Sequence, residues 1–205
     1  MAPIVDTYTL GPTQTNCYVI RADRDATEAV VVDPGYEGVE PGAEVAAILV
    51  THCHWDHLGG IAELAETTGA PVYMPESEAP VLENPEAYYP GQPIRPYRAD
   101  VRLQGDETFE LAGLTFETLP VPGHSPGHVA FATDGALFSG DVLFAGGVGR
   151  TDLPFADWDT LVESIRLLFE RLPPETVVYP GHGPQTTLGV ERERNPFLAD
   201  LRAAT

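Results

Sequence analysis

The segment Thr51-His-Cys-His-Trp-Asp-His57 packs three of the chain's six histidines and one carboxylate into seven residues. It follows Ala46–Val50, an apolar run that reads as a short buried strand, and precedes Leu58–Thr68, whose helix-favouring composition stops at Gly69. On an extended or tightly turned backbone His52 and His54 fall on one side and can face a single ion, while Asp56 and His57 come from the following turn to face a second. Cys53 and Trp55 then point elsewhere and read as packing residues. Imidazole nitrogen and carboxylate oxygen suit zinc or iron, and a hydrolytic site needs several of them with one coordination position left open.

The remaining histidines stand in Gly123-His-Ser-Pro-Gly-His128 and Pro180-Gly-His-Gly183. Any one of them alone is better read as a satisfied surface or core histidine. All six, however, lie beside Gly, Pro, Asp or one another where loops end strands, and that shared placement points to a joint site.

Further strands are expected at Ile4–Leu10, Asn16–Arg21, Ala29–Asp33, Val72–Met74, Phe109–Leu111, Leu114–Val121, His128–Ala132, Ala136–Ser139 and Val177–Tyr179, each β-branched or apolar and bounded by turn residues. Asp157 is a plausible cap for an amphipathic helix whose Leu161, Ile165, Leu168, Phe169 and Leu172 share one stripe, with Pro173-Pro174 as its end. Glu191–Arg202 reads as a last helix interrupted early by Pro196. The stretch from Pro75 to Asp100 is rich in Pro, Glu and Tyr and reads as an irregular flap. Strand runs flanked by helices place sheets in the middle and helices outside.

At 205 residues, 43% hydrophobic and 20% charged, the chain can bury one substantial core, and residues 1–205 are read as a single domain. No apolar window is long enough to span a membrane, no signal peptide is legible, and the two cysteines, Cys17 and Cys53, fit a reducing cytoplasm. A formal charge of −20 would repel a polyphosphate backbone, which excludes nucleic acid as the expected partner. There is no lysine, so an anionic substrate would have to be gripped by arginine, backbone amides or metal.

The motif His52-x-His54-x-Asp56-His57 resembles that of the metallo-β-lactamase superfamily, and the further stations follow in order as Asp33 in Val30-Val-Val-Asp-Pro-Gly35, His124, Asp141 in Ser139-Gly-Asp141, and His182. The resemblance implies an α/β fold, a four-layer αββα sandwich with mixed sheets and helices on the outer faces. It also implies two divalent metal ions, zinc first with iron or manganese as alternatives. His52, His54 and His124 would hold the first ion, Asp56, His57 and His182 the second, with Asp141 bridging. Asp56 and Asp141 would position the water made nucleophilic between the ions. Asp33 and Thr51 would support the ligands from behind; on local chemistry alone Asp33 before Pro-Gly is equally a turn former. His128 has no ligand role in the resemblance and reads as structural.

Within the superfamily the likeness is to single-domain glyoxalase II-like thioesterases, carried by Thr51–Gly60, Ser139–Arg150 and Gly181–Phe197. It implies a small thioester substrate, S-D-lactoylglutathione or a related hydroxyacyl thioester. The helical domain that binds glutathione in full-length glyoxalase II has no counterpart here. Arg150 falls where those enzymes carry a substrate-binding Lys, and Asp152 where they carry a Tyr; a purely structural Arg150–Asp152 pair is an equal reading. Asp141 stands where true β-lactamases of the superfamily generally carry Cys or Ser. Two rival activities share the frame: a persulfide dioxygenase, with one iron held by two histidines and Asp141 and a comparable Gly149-Arg-Thr-Asp152 segment, and a lactonase or other hydrolase on the same metals. A non-enzymatic metal-binding module is the weakest reading, given seven candidate ligands.

Overall fold

A computed structural model of the chain describes residues 2–199 and 201. Alternation along the strands decides the layering, because successive side chains leave a strand on opposite faces. The first sheet contains β1 (Ile4–Leu10), β2 (Thr15–Arg21), β3 (Glu28–Val32), β4 (Glu44–Leu49), β5 (Val72–Pro75) and β6 (Val101–Leu103), in that spatial order. Its first three strands pair antiparallel and the rest parallel. On β2, Cys17 and Val19 face outward into a cluster with Ile61, Leu64 and Ala65 of helix α1 (Ile61–Thr68), whereas Tyr18 and Ile20 face inward. Val31 and Ile48 follow the first pair; Val30, Val32, Ala47 and Leu49 follow the second. Both faces are buried, so these strands read as nearly continuous apolar runs.

After the short helices α2 (Ala79–Glu83) and α3 (Pro85–Tyr88), the second sheet forms from β7 (Thr108–Leu111), β8 (Leu114–Pro120), β9 (Val129–Thr133) and β10 (Ala136–Gly140). A small hairpin, β11 (Leu143–Phe144) and β12 (Gly147–Val148), leads to helix α4 (Trp158–Arg171). Strand β13 (Val177–Pro180) then joins β10 in parallel, and β14 (Thr186–Thr187) and helix α5 (Leu188–Arg194) follow. The sheet order is β14-β13-β10-β9-β8-β7. Val129, Phe131 and Phe138 meet Tyr18, Ile20 and Leu49 between the sheets, with Phe138 and Tyr18 ring centroids 5.3 Å apart. Ala130, Leu137 and Val178 turn the other way onto Leu161, Ile165 and Leu168 of α4. The result is the expected αββα order of four layers. Each fully buried Leu or Phe in these seams contributes about 1.5–3 kcal/mol.

Helix α4 begins where the sequence indicates, with Asp157 accepting from the Thr160 amide at 2.8 Å. Other boundaries differ. The 75–100 stretch, read as an irregular flap, carries α2 and α3 and buries Ala79, Val81 and Leu82; five- and four-residue helices are too short for periodicity to register. Strand β6 and the two-residue strands were not foreseen for the same reason. The last helix starts at Leu188, capped by Thr187, and ends at Arg194 before a 3-10 turn over Pro196–Leu198; residues 200 and 202 of the expected helix lie outside the described residues. Among the described residues no helix is long and apolar enough to cross a membrane. Cys17 and Cys53 are unpaired, and Cys53 and Trp55 pack against the outer cluster of the first sheet, as their alternation implied.

Candidate metal centre

Five strands deliver their carboxyl ends to one edge of the sandwich. Asp33 follows β3, His52 to His57 follow β4, His124 follows β8, Asp141 follows β10 and His182 follows β13. Open α/β sheets place ligand sites at such ends, where the chain leaves the ladder and its side chains are held by rigid strands.

The ligand atoms of His52, His54 and His124 lie within 4.8 Å of one another, as do those of Asp56, His57 and His182. Asp141 stands between the two groups. Its Oδ1 is 3.5 Å from His57 Nε2, and its Oδ2 is 3.5 Å from both His124 Nε2 and His182 Nε2. Asp56 Oδ2 is 3.3 Å from His182 Nε2 and accepts from the Thr15 hydroxyl at 2.9 Å. Asp33, His52 and His57 also fall within ligand distance, but the Asp33 oxygens are engaged at the backs of the rings.

Those rear contacts fix the tautomers. Thr51 donates its hydroxyl to Asp33 Oδ2 (2.7 Å), so its oxygen accepts from His52 Nδ1 (3.0 Å). His57 Nδ1 donates to Asp33 Oδ2 (3.0 Å), and His124 Nδ1 donates to the Arg150 carbonyl (2.9 Å). In each ring Nε2 is turned toward the centre. His128, read as structural, takes the same orientation: Nδ1 donates to the Val129 carbonyl (3.1 Å) and Nε2 accepts the Asp141 amide (3.1 Å), while its ring stacks on His52 at 4.5 Å. It supports Asp141 from behind. Nothing in its local sequence signals that, because the contact spans thirteen residues.

The site fits metal. His52 Nε2, His57 Nε2 and Asp141 Oδ1 are buried without a hydrogen-bond partner, a costly condition unless a cation takes their lone pairs. His54 Nδ1 faces His124 Nε2 at 2.8 Å, and a shared cation satisfies both nitrogens. Electrostatics point the same way. Burial works against a charged His57, yet Asp141 and Asp33 outweigh it and raise its pKa. Burial likewise opposes charge on His182, but Asp141 and Asp56 lift it to about 10. Asp56 is held at about 2 because His182, His57 and Thr15 overcome its desolvation. The carboxylate group thus demands positive charge. Burial and neighbouring imidazoles instead push His52 down, and burial with His124 takes His54 to about 4, so these rings offer neutral lone pairs. Burial also raises the Cys53 thiol, with Glu78 adding to it, and the side chain packs against the outer apolar cluster of the first sheet.

The remaining candidates stand nearby in different states. Arg150 reaches the centre through its carbonyl, while its guanidinium makes two 2.7 Å bonds to exposed Asp152. The His182 loop is tied to the first sheet through Asn16, whose amide donates to Gly181 O (2.7 Å) and whose side chain donates to Pro180 O (3.0 Å) and Gly183 O (2.8 Å). Thr15 and Asn16 escaped the sequence reading because a strand start carries no such signal. Gly181 has no room for a side chain: a Cβ there would collide with Asp141 Oδ1 and lie 2.8 Å from His57 Cε1.

Imidazoles and carboxylates gathered at the strand ends of two sandwiched sheets define a site suited to a dinuclear metal centre. The chain belongs to the metallo-β-lactamase superfamily, whose profile matches residues 10–182, and is a metallo-hydrolase of that superfamily. It is 38% identical over 202 residues to a probable metallo-hydrolase, YqgX, of Bacillus subtilis strain 168, covering 92% of this chain and 94% of the relative. It is 34% identical over 207 residues to the hydroxyacylglutathione hydrolase GloC of Haemophilus influenzae, covering 90% and 93%. Among solved structures it resembles the BLEG-1 B3 metallo-β-lactamase (TM-score 0.86, 38% identity, 96% of this chain and 100% of that one). It also resembles TTHA1623 in a di-iron-bound form (TM-score 0.80, 42%, 95% and 100%) and ETHE1 from Myxococcus xanthus (TM-score 0.79, 27%, 94% and 83%).

Proposed function

We propose that the chain is a thioester hydrolase of the glyoxalase II type, acting on S-D-lactoylglutathione or a related hydroxyacyl thioester. The observation that carries this reading is the Asp141 carboxylate lying 3.5 Å from imidazoles of both groups, where it can bridge two ions. His52, His54, His124 and Asp141 would hold one ion and Asp56, His57, His182 and Asp141 the other. Two divalent cations so held supply Lewis acidity and bring the pKa of water toward neutrality. Zinc is the first choice, and the di-iron-bound neighbour keeps iron in view.

The protein's own part is positioning. Asp33 and Thr51 fix the rings of His57 and His52, and His128 fixes the Asp141 backbone. Asp141 between the two groups and Asp56 beside His182 would hold the ions and position the water to be activated. With both ions held, the imidazoles would spend their Nε2 or Nδ1 lone pairs on metal and carry no proton there, which leaves the site no spare acid. A thiolate of pKa about 8.5 leaves without a proton donor, whereas an amide nitrogen normally needs one. That preference, and the 34% identity to the hydroxyacylglutathione hydrolase, favour a thioester. Arg150 is the proposed grip for a substrate carboxylate, in competition with Asp152.

The test is hydrolysis of S-D-lactoylglutathione by metal-quantified protein, beside other thioesters, a lactone and a β-lactam, with oxygen uptake on glutathione persulfide in parallel. Thioester turnover that falls at least about 100-fold in Asp141→Asn supports the reading. Full activity in that variant, or oxygen uptake without thioester turnover, rejects it.

A further inference from the structure

Glu78 is a buried carboxylate outside both metal groups. Only 3% exposed, it stands just before α2 at the end of a turn closed by its amide on the Pro75 carbonyl (3.1 Å). Both of its oxygens accept main-chain hydrogens: Oε2 from the Cys53 amide at 2.6 Å, and Oε1 from the Gly127 amide at 2.7 Å. Cys53 lies between ligand residues His52 and His54. Gly127 lies between His124 and His128.

One side chain therefore joins the β4–α1 loop of the first sheet to the β8–β9 loop of the second. The contact is close enough that a Cβ at Gly127 would collide with Ser77 Oγ and come within 2.8 Å of Glu78 Cγ. Hydrogen bonds to a charged acceptor are roughly twice as strong as neutral ones. A carboxylate taken from water is costly unless such bonds satisfy it. The two loops that Glu78 joins are the two that bring His54 Nδ1 and His124 Nε2 to 2.8 Å of each other.

We propose that Glu78 is a positioning residue for the first metal group, holding the His52/His54 loop and the His124 loop at ligand spacing from a place where it touches neither metal nor substrate. The second group, Asp56, His57 and His182, is held by bonds of its own, from Thr15 to Asp56, from His57 to Asp33 and from Asn16 to the His182 loop. Glu78 acts on metal affinity, whichever substrate the site takes.

Glu78→Gln keeps the volume but can accept with one end only, turning an amide NH2 toward the other main-chain donor; Glu78→Ala removes both bonds. Each is combined with His182→Ala, which cripples the second group, and separately with His54→Ala, which cripples the first. Zinc affinity is then read by competition with a chromophoric chelator, and hydrogen exchange is followed at the Cys53 and Gly127 amides. The expected result is about 10- to 100-fold weaker zinc in the His182→Ala background, unchanged zinc in the His54→Ala background, and faster exchange at both amides. Should Glu78→Ala fail to fold, Glu78→Gln and the exchange measurement carry the test. Equal weakening of both groups, or unchanged affinity at the first, overturns the proposal.

Discussion

Asp33 Oδ2 accepts from His57 Nδ1 at 3.0 Å while the same carboxylate takes the amide and hydroxyl of Thr51. One side chain at the end of β3 thus orients a ring of the second metal group directly and His52 of the first through Thr51. Asp33 does this with a left-handed backbone, φ 50°, that Asn also tolerates. In Asp33→Asn the backbone is expected to survive, while the charge behind His57 is lost. Metal content and chelator competition should show affinity reduced about 10- to 100-fold, with little change in the far-UV circular dichroism.

Gly181→Ala places a methyl group against Asp141 Oδ1 and His57. Overpacking of this kind costs about 1–3 kcal/mol and here falls on residues proposed to hold both ions. The variant is expected to fold but to hold less than its full complement of metal. Two equivalents bound at wild-type affinity, found by elemental analysis after dialysis, would contradict the close approach.

The metal-free protein should be most stable near neutral pH. His182 is raised from 6.5 to about 10 on folding, so its contribution is complete below 6.5 and is lost as pH rises through 10. Asp56 is lowered from 3.8 to about 2, so its contribution is complete above 3.8 and is lost as pH falls through 2. His54, lowered from 6.5 to about 4, and His52, also lowered, act in the opposite sense to His182, their contribution being complete above 6.5 and lost as pH falls. Melting temperatures of chelated protein are therefore expected to peak near neutrality and to decline on both sides. In metal-loaded protein, where imidazole binds in its neutral form, the alkaline decline should flatten. Parallel curves for the two forms would count against the assignment of His182.

Leu161 is fully buried beneath the second sheet, and α4 also fastens the His124 loop, through the Asp157 amide on Gly123 O (2.8 Å) and Ser164 Oγ on Pro122 O (2.6 Å). Leu161→Ala should cost about 2–5 kcal/mol in urea unfolding. It should also lower turnover more than the folded fraction explains, because the helix carries a ligand loop.

How far the sequence revealed this depends on distance along the chain. Sheets in the middle with helices outside were legible from the order of strand and helix runs, and the αββα order followed from the family resemblance. Cys17 to Ile20 and Val30 to Val32 are apolar throughout, so which buried face each takes shows only in the fold. A joint site was legible because its residues sit in short motifs beside Gly, Pro or Asp, while their division into two groups was implied by the resemblance. The structure brings His52, His54 and His124 together, and likewise Asp56, His57 and His182. The supports were not legible. Thr15 meets Asp56 across forty-one residues, and Glu78 meets Gly127 across forty-nine. A buried glutamate in a Pro- and Glu-rich stretch looks like any surface glutamate until the fold closes over it.

The bonds from Asn16 to the loop around His182 join the second strand to the end of the thirteenth, across more than 160 residues. A fragment lacking either of these strands loses the tie, and contacts of such long range form late and slowly. On the proposed ligand assignment, uptake of a second equivalent during refolding would mark the docking of these two strands, and a chaperone or protease meeting the chain earlier would find the histidines still apart.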